Sequence, residues 1–394
     1  MFQRELVRGM ILHQLALLLT ALFMCLSVGV SFWLILAHAT HYLIPYEQKQ
    51  IIRILAMIPI YSIISFFSLV FHHKDVYLDL VRNIYEAYVV ASFFTLMCYY
   101  VAPTLHEQKE YFRNVRPKPW IFPLKGVDTP RSGLTWFNII YVGINQFCIT
   151  RPFFGLIAVI SERTGHYCDS STRPQDGHLW IVLLQGAFIL IAMYCVMQFY
   201  VQLKEDLAPY RGSLKVLCIK LVLFVMFWQT WLLGLLSRKK GPLQPTAYLS
   251  AVDIHVGIPC MLICFEMTVF AIVHHWAFPW TPYDVDRQLR GPGGPKFYIR
   301  DPLGAFLDAL NPWDYAKAGA RGLRWLFHGV HYRKDDSSYR LHREIELKAK
   351  AGPDLMPQAT RARIGAHSDP GTTSDAVRQE DELKRRHAKR FASD

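Results

Sequence analysis

Seven apolar runs, each long enough to cross a lipid bilayer, constrain this chain more than any other feature of its sequence. A helix that spans the hydrocarbon core needs about 20 apolar residues at about 1.5 Å each. Inside lipid the backbone must bond to itself, so runs of this length are expected to be helices. The predicted spans are residues 12–37, 51–72, 82–103, 134–160, 178–203, 214–237 and 248–277. We therefore predict an all-α, polytopic membrane protein with seven transmembrane helices.

The composition separates this membrane part from a soluble end. The whole chain is 52% hydrophobic and 19% charged, which is unremarkable only because the apolar runs are averaged with a polar C-terminal region. A basic amphipathic segment and then a charged, aromatic-poor tail follow the last run, a pattern typical of disorder in the tail. The predicted organisation is a seven-helix transmembrane domain at 1–280, a juxtamembrane amphipathic helical segment at 281–334, and a mostly disordered charged tail at 335–394.

The juxtamembrane segment reads as two short helices between residues 301 and 330. Asn311-Pro312 separates them as a cap followed by a proline at the first helical position. A basic amphipathic helix beside a membrane commonly lies on the anionic inner leaflet. Packing beneath the helix bundle is the alternative, and the sequence does not separate the two. The apolar stripe of the second helix comprises Trp313, Ala316, Ala320, Leu323 and Phe327.

Basic residues in the short loops set the expected orientation. With the N-terminus outside, the connections 38–50, 104–133 and 204–213 and the tail lie inside, and they carry the excess of lysine and arginine. We therefore expect an outside or lumenal N-terminus and a cytosolic C-terminus, in the plasma membrane or in an endomembrane. The first run resembles a signal peptide through Ala37-His38-Ala39, but it is about twice the usual length, so we expect it to be retained.

Several function classes have no support in the sequence. The net charge of +12 is spread over loops and tail without a block typical of nucleic-acid binding. The chain has no zinc-protease, nucleotide-binding, dinucleotide-binding or calcium-loop motif, so we expect no enzyme activity, cofactor or metal. Eight cysteines form no CxxC pair. Histidines at 72, 73, 274 and 275 stand at helix ends, where an interfacial position is expected.

The sixth run, Leu214–Leu236, holds Lys220 and Gln229 within its apolar sequence. A charge at this depth costs at least about 2.5 kcal/mol, so such a residue usually faces a partner or a wet cavity. Helical spacing places this cation and several aromatic residues on one broad face. This face either lines a site or packs ordinarily while the lysine extends to the interface. Its residues are Lys220, Phe224, Phe227, Trp228 and Trp231.

Depth and sign suggest two ion pairs between the spans. Glu86 and Arg151 both belong to the outer half, and Lys220 and Glu266 both belong to the inner half. Pairing lowers the cost of each charge. We favour a structural clasp for Arg151 with Glu86, whereas Lys220 with Glu266 fits a clasp or a polar path equally. Prolines 59 and 259 indicate kinks in the second and seventh spans.

An ordered series of motifs runs along the predicted spans: PYEQKQIIRIL (45–55), RNIYEAYVV (82–90), QFCITRP (146–152), KVLCIKLV (215–222) and FEM (265–267). The series resembles the organic solute transporter alpha-subunit and transmembrane protein 184 family, and is most similar to the transmembrane protein 184 branch. The resemblance covers about residues 10–280. It implies a seven-helix protein with an outside N-terminus that moves amphipathic organic anions such as steroid conjugates or bile acids. The alpha-subunit's cysteine cluster is absent from 104–133, so an acylated loop is not expected here.

The predicted function is that of a passive transporter or carrier of amphipathic organic solutes. Its expected partners are membrane lipids and the solute, with no nucleic acid, and a homo-oligomer or a single-span partner stays open. The alternative is a non-transporting membrane scaffold in trafficking, stress signalling or vacuole integrity that works through 301–330 and the tail. The residues expected to line the inner half of the path are Lys220, Glu266, Gln229, Trp228 and Gln198. Further contacts are expected from Arg53, Arg151 and Glu86.

Overall fold

Within the described residues, the regular elements are helices. A computed structural model describes residues 2–71, 74–130, 132–164, 177–237, 241–244, 246, 253–284 and 302–311, together with 313, 317 and 320. The long helices are α1 (Phe2–Thr40), α2 (Pro45–Leu55), α3 (Met57–Val70), α4 (Asp75–Val101), α6 (Gly133–Arg163), α7 (Gly177–Leu207), α8 (Gly212–Leu236) and α9 (Ile258–Ala277). Two shorter helices are α5 (Leu105–Asn114) and α10 (Pro302–Leu310).

Six stretches within the described residues are long and apolar enough to cross a membrane. They are Gln14–Thr40, Pro45–Val70, Asp75–Val101, Gly133–Arg163, Leu179–Tyr210 and Ile258–Ala277. The remaining predicted span, 214–237, forms the 25-residue helix α8. The protein is therefore an all-helical, multi-pass membrane protein, and a seventh crossing by α8 stays a prediction.

The two prolines that indicated kinks act at helix beginnings. Pro59 is the third residue of α3. The helix is interrupted at Ala56, between α2 and α3. A proline lacks an N–H and crowds the carbonyl four residues earlier, so the break lies where that clash would fall. Pro259 lies in the first turn of α9, directly after a π-helical turn at Asp253–Gly257. The part of the seventh predicted span at 248–252 lies outside the described residues.

The helices form two groups that share α4. Helices α1, α3 and α9 pack against one another, and α4 contacts α2, α3 and α6. Helix α7 packs on α6, while α8 contacts α9 and α7 at one edge. Aromatic rings from α4, α5, α6 and α7 fill the end where α5 folds back, with Phe112 stacked 4.0 Å from Phe137 and Phe94 5.0 Å from Phe199. This cluster fixes the loop between α4 and α6 to the bundle.

Candidate functional site

One face of α8 exposes a cation and two aromatic rings to the surroundings of the bundle. Lys220, Phe224 and Trp228 are all exposed, Phe224 by 54% and Trp228 by 44%. The two rings lie 5.7 Å apart between centroids. Since the three residues follow one another at one-turn intervals, they form a continuous strip, which we call the α8 strip. The side chains of Phe227 and Trp231, also predicted on this face, lie outside the described residues.

Gln229 on α8 and Glu266 on α9 each carry a buried acceptor atom. The Gln229 amide donates a hydrogen bond to the backbone oxygen of Pro259 on α9 at 3.1 Å. Its carbonyl oxygen is buried and has no hydrogen-bond partner within the described structure, and the same holds for Glu266 Oε2. A buried acceptor without a donor costs about 1–3 kcal/mol. A ligand or a water molecule could satisfy each of these two atoms.

Lys220 and Glu266 do not form the predicted ion pair. Lys220 is exposed on the α8 strip, whereas Glu266 is half-buried and its Oε2 has no partner among the described residues. Matching depth is a one-dimensional criterion, and the two side chains leave their helices in different directions. A role for either residue in a solute path stays a prediction.

Arg151 and Glu86 do form an ion pair. The Arg151 guanidinium on α6 donates to Glu86 Oε2 on α4 from Nη2 at 2.8 Å and from Nε at 3.2 Å. Its Nη1 donates to Gln185 Oε1 on α7 at 2.5 Å. Glu86 is buried, so the pair is shielded from solvent. The arrangement fastens three helices together, as the sequence-based interpretation of a clasp expects.

Gln198 and Gln202 on α7 hold the extended segment after α5. The fully buried Gln198 accepts a hydrogen bond from the Ile121 N–H at 3.1 Å and donates to the Pro119 oxygen at 3.2 Å. Gln202 accepts from the Lys118 N–H at 2.6 Å. The amide of Gln198, expected in the solute path, is thus occupied by the protein's own backbone. Its contact with a solute stays a prediction.

Arg53 caps a helix. Its Nε donates to the Ala309 oxygen at 2.7 Å and its Nη2 donates to the Asn311 oxygen at 2.8 Å, both at the C-terminal end of α10. The guanidinium also lies 5.1 Å from the centroid of the Tyr88 ring. The sequence pointed to an anionic ligand for Arg53, but a backbone carbonyl partner carries no recognisable sequence signal.

A buried polar cluster that was not predicted from the sequence brings together residues of α2, α4 and α8 and of the segment after α9. Lys215 is only 4% exposed; its ammonium group donates to the Tyr210 oxygen and lies 5.0 Å from the Tyr100 ring centroid. The Tyr283 hydroxyl donates to buried Glu47 Oε2 at 2.8 Å. The only available signal was the placement of a lysine and a glutamate at the ends of their spans, which equally suits exposed residues.

His38 and His274 are buried, whereas His275 is partly exposed and its ring lies 5.2 Å from the Trp33 ring. His274 is 1% exposed and donates from Nδ1 to the Phe270 oxygen at 2.7 Å. His38 is fully buried, and its Nε2 hydrogen-bonds the Phe278 oxygen at 3.1 Å. Within the described residues, no group of three or more histidine, cysteine, aspartate or glutamate side chains could hold a metal ion. His72 and His73 lie outside the described residues.

Comparison with known proteins places these features in a family. A family profile described as organic solute transporter Ostalpha matches residues 16–283. A transmembrane protein 184 homologue of Dictyostelium discoideum is 30% identical over 267 residues, which are 66% of this chain and 52% of that protein. The chain thus spans about half the length of that curated relative. No solved structure gives a significant match. The family profile covers α1–α9 almost completely, and the chain belongs to the organic solute transporter Ostalpha family.

Proposed function

We propose that the protein is a passive transporter of amphipathic organic solutes, with steroid conjugates, bile-acid-like anions or lipid-like anions as its substrates. Family membership supports solute transport in general. The α8 strip is the observation that carries the finer proposal, because it joins an exposed cation to an exposed apolar surface. An amphipathic anion has the complementary pattern of one charged group and one apolar body.

The depth of the α8 strip along its helix also suits an amphipathic anion. Lys220 is eight residues into α8 from Gly212, or about 12 Å along the axis. An exposed lysine there faces lipid or a groove, where an anionic group lowers the cost of its charge. The apolar body of the solute would lie along Phe224 and Trp228. Gln229 Oε1 on α8 and Glu266 Oε2 on α9, both without a hydrogen-bond partner in the described structure, would accept hydrogen bonds from solute hydroxyl groups once α8 and α9 separate.

The proposal uses the orientation that the basic loops indicate. With the N-terminus outside, α8 begins at the cytosolic side, so the strip opens toward the cytosolic half of the membrane. Movement in this proposal is facilitated diffusion along the solute's own gradient, since the sequence has no nucleotide-binding motif that would power a pump.

Flux of a radiolabelled steroid sulfate into proteoliposomes tests the site. We expect Lys220→Ala to reduce flux at low solute concentration about tenfold or more, since one charge-assisted contact is worth about 1.5–3 kcal/mol. Lys220→Arg should retain most of the flux. Lys204→Ala, which removes another exposed lysine near the end of α7, is the matched control.

Equal flux for wild type and Lys220→Ala would reject the strip as the solute site. Absence of flux above empty liposomes for the wild type, across sulfated steroids and bile acids, would reject transport of this solute class. The scaffold alternative would then be favoured, with its activity in the region after residue 301.

A further inference from the structure

Helix α10 follows the last membrane span in sequence, yet one of its faces is docked on the transmembrane helices. Ala305 and Ala309 are buried, and the Phe306 ring stacks on Phe32 of α1 with centroids 6.4 Å apart. The Tyr42 hydroxyl donates to Asp308 Oδ2 at 2.8 Å. These contacts place α10 across α1 and α2 instead of leaving it as a separate segment of the tail.

The last backbone carbonyl groups of α10 have hydrogen-bond partners, as a helix end that lies away from water requires. The last carbonyls of a helix have no partners within the helix and normally bond to water. Here the Ala309 oxygen accepts from Arg53 Nε at 2.7 Å and from the Tyr88 hydroxyl at 3.2 Å, and the Asn311 oxygen accepts from Arg53 Nη2. In hydrocarbon each unpaired backbone group would cost several kcal/mol. The capping therefore allows the end of α10 to lie within the apolar layer.

The anchoring residues lie well inside the ends of their spans. Phe32 precedes the end of α1 by eight residues, and Arg53 follows the start of α2 by eight residues. At about 1.5 Å per residue, each lies roughly 12 Å along its helix from that end. This distance exceeds what a helix resting on the head groups would reach.

The face of α10 opposite its buried alanines is apolar and exposed. Leu303, Leu307 and Leu310 are between 62% and 69% exposed and follow one another at helical spacings of four and three. This leucine face adjoins the exposed apolar surface of α1, which includes Phe32 and Leu36. If this face were in contact with water, the protein would lose the free energy gained by burying three leucine side chains.

We propose that α10 is a membrane-embedded helix whose leucine face, Leu303, Leu307 and Leu310, binds the acyl chains of the leaflet at the end of α1. The chain thus returns into the membrane after its last span. Arg53 is the positioning residue that allows this return. It donates hydrogen bonds to backbone carbonyl groups, which lipid acyl chains cannot do.

Nitroxide labels on the full chain in liposomes test this directly. Leu307→Cys and Leu303→Cys are labelled after Cys25, which is exposed, and Cys168 are replaced. Collisions with oxygen and with a water-soluble nickel chelate are then compared. Leu190→Cys, in the middle of the span Leu179–Tyr210, is the lipid-facing reference, and Lys125→Cys in the loop is the aqueous reference; both residues are exposed. We expect the α10 labels to resemble Leu190, with oxygen collisions several-fold above those with nickel relative to Lys125.

Nickel accessibility equal to that at Lys125 would overturn the proposal. Shielding from both reagents, or broadening by a label on a second copy, would also overturn it, because a protein would then cover the leucine face. Arg53→Gln supplies a second readout: we expect amide exchange in 302–311 to become several-fold faster, with Arg53→Lys intermediate. Unchanged exchange in Arg53→Gln would reject the positioning role.

Discussion

At the scale of single residues, four cations show different solutions to placing a charge among apolar helices. Arg151 has a carboxylate partner, Arg53 caps a helix, Lys215 donates to a backbone oxygen between aromatic rings, and Lys220 stays exposed. The first three are held by the protein itself. Lys220 is the one of these four that the surroundings must stabilise, which is why the solute proposal rests on it.

The Arg151 clasp predicts a large loss of stability when one partner is removed. Arg151→Gln leaves Glu86 as a buried charge without its cation, a change that costs about 3–5 kcal/mol. For a chain of this size we expect the thermal unfolding midpoint in mild detergent to fall by about 5 °C or more. Differential scanning fluorimetry measures the shift.

The double variant Arg151→Gln with Glu86→Gln is the control for that prediction. It removes both charges, so it should unfold at a higher temperature than Arg151→Gln alone. Equal midpoints for the single and double variants would show that Arg151 acts through packing and not through its charge.

Gln48 predicts a second residue-scale effect. Its side chain is fully buried in the turn between α1 and α2; it accepts from the Leu43 and Ile44 N–H groups at 2.6 and 2.8 Å and donates to the His41 oxygen at 2.7 Å. Gln48→Leu keeps the volume but leaves these groups unpaired, at about 1–3 kcal/mol each. We expect the thermal unfolding midpoint to fall and protease cleavage to occur near residue 43. Gln202→Leu removes side-chain hydrogen bonds on the partly exposed side of α7, and it should lower the unfolding midpoint less.

The sequence allowed the Arg151–Glu86 contact to be predicted because both charges are rare, opposite and equally deep. The same criterion was wrong for Lys220 with Glu266, since hydropathy reports depth but not direction around the helix. Lys215 and Lys220 lie only five residues apart, yet one is buried and the other exposed. The partners of Lys215 and Arg53 include backbone oxygens, which every residue supplies and no sequence pattern marks.

At the scale of elements, the fold-back of α5 depends on one glycine. A Cβ on Gly133, the first residue of α6, would lie 2.2 Å from the Phe112 oxygen and 2.3 Å from the Val115 oxygen. Backbone cannot yield as a side chain can, so Gly133→Ala should cost about 1–3 kcal/mol or more. We expect faster proteolysis of the loop between α5 and α6 and a lower unfolding midpoint.

Gly126 provides the matched control because an added Cβ would meet nothing within 4 Å. Gly126→Ala should leave both the midpoint and the proteolysis rate unchanged. Equal behaviour of the two variants would show that the close approach at Gly133 is relieved by movement of the loop.

Element existence was more predictable than element arrangement. The apolar runs predicted the long helices because lipid allows few alternatives to a helix. Pro59 indicated a kink, and the helix is interrupted three residues before it, at Ala56. The docking of α10 could not be predicted, because its short leucine pattern fits a helix on the membrane surface equally well. Its contacts with Phe32, Tyr42, Arg53 and Tyr88 show where it lies.

At the scale of the whole molecule, α10 completes the bundle formed by α1, α2 and α4. A chain that ends at residue 284 would leave Arg53 buried without the carbonyls of Ala309 and Asn311. We expect it to unfold at a clearly lower temperature than the full chain and to aggregate in detergent. A chain that ends at residue 320 keeps α10 and should match the full chain in thermal stability. Equal stability of both truncated chains would contradict an integral role for α10.

The bond between Arg53 and Ala309 joins residues 256 positions apart, which has a consequence for biogenesis. A ribosome adds about 5–20 residues per second, so α2 enters the membrane roughly 13–50 s before its capping partner is synthesised. During that interval the Nε and Nη2 groups of Arg53 lack the carbonyl partners that they have in the finished protein. Assembly of the N-terminal helices therefore finishes only after α10 has been synthesised, although these helices precede it by more than 200 residues.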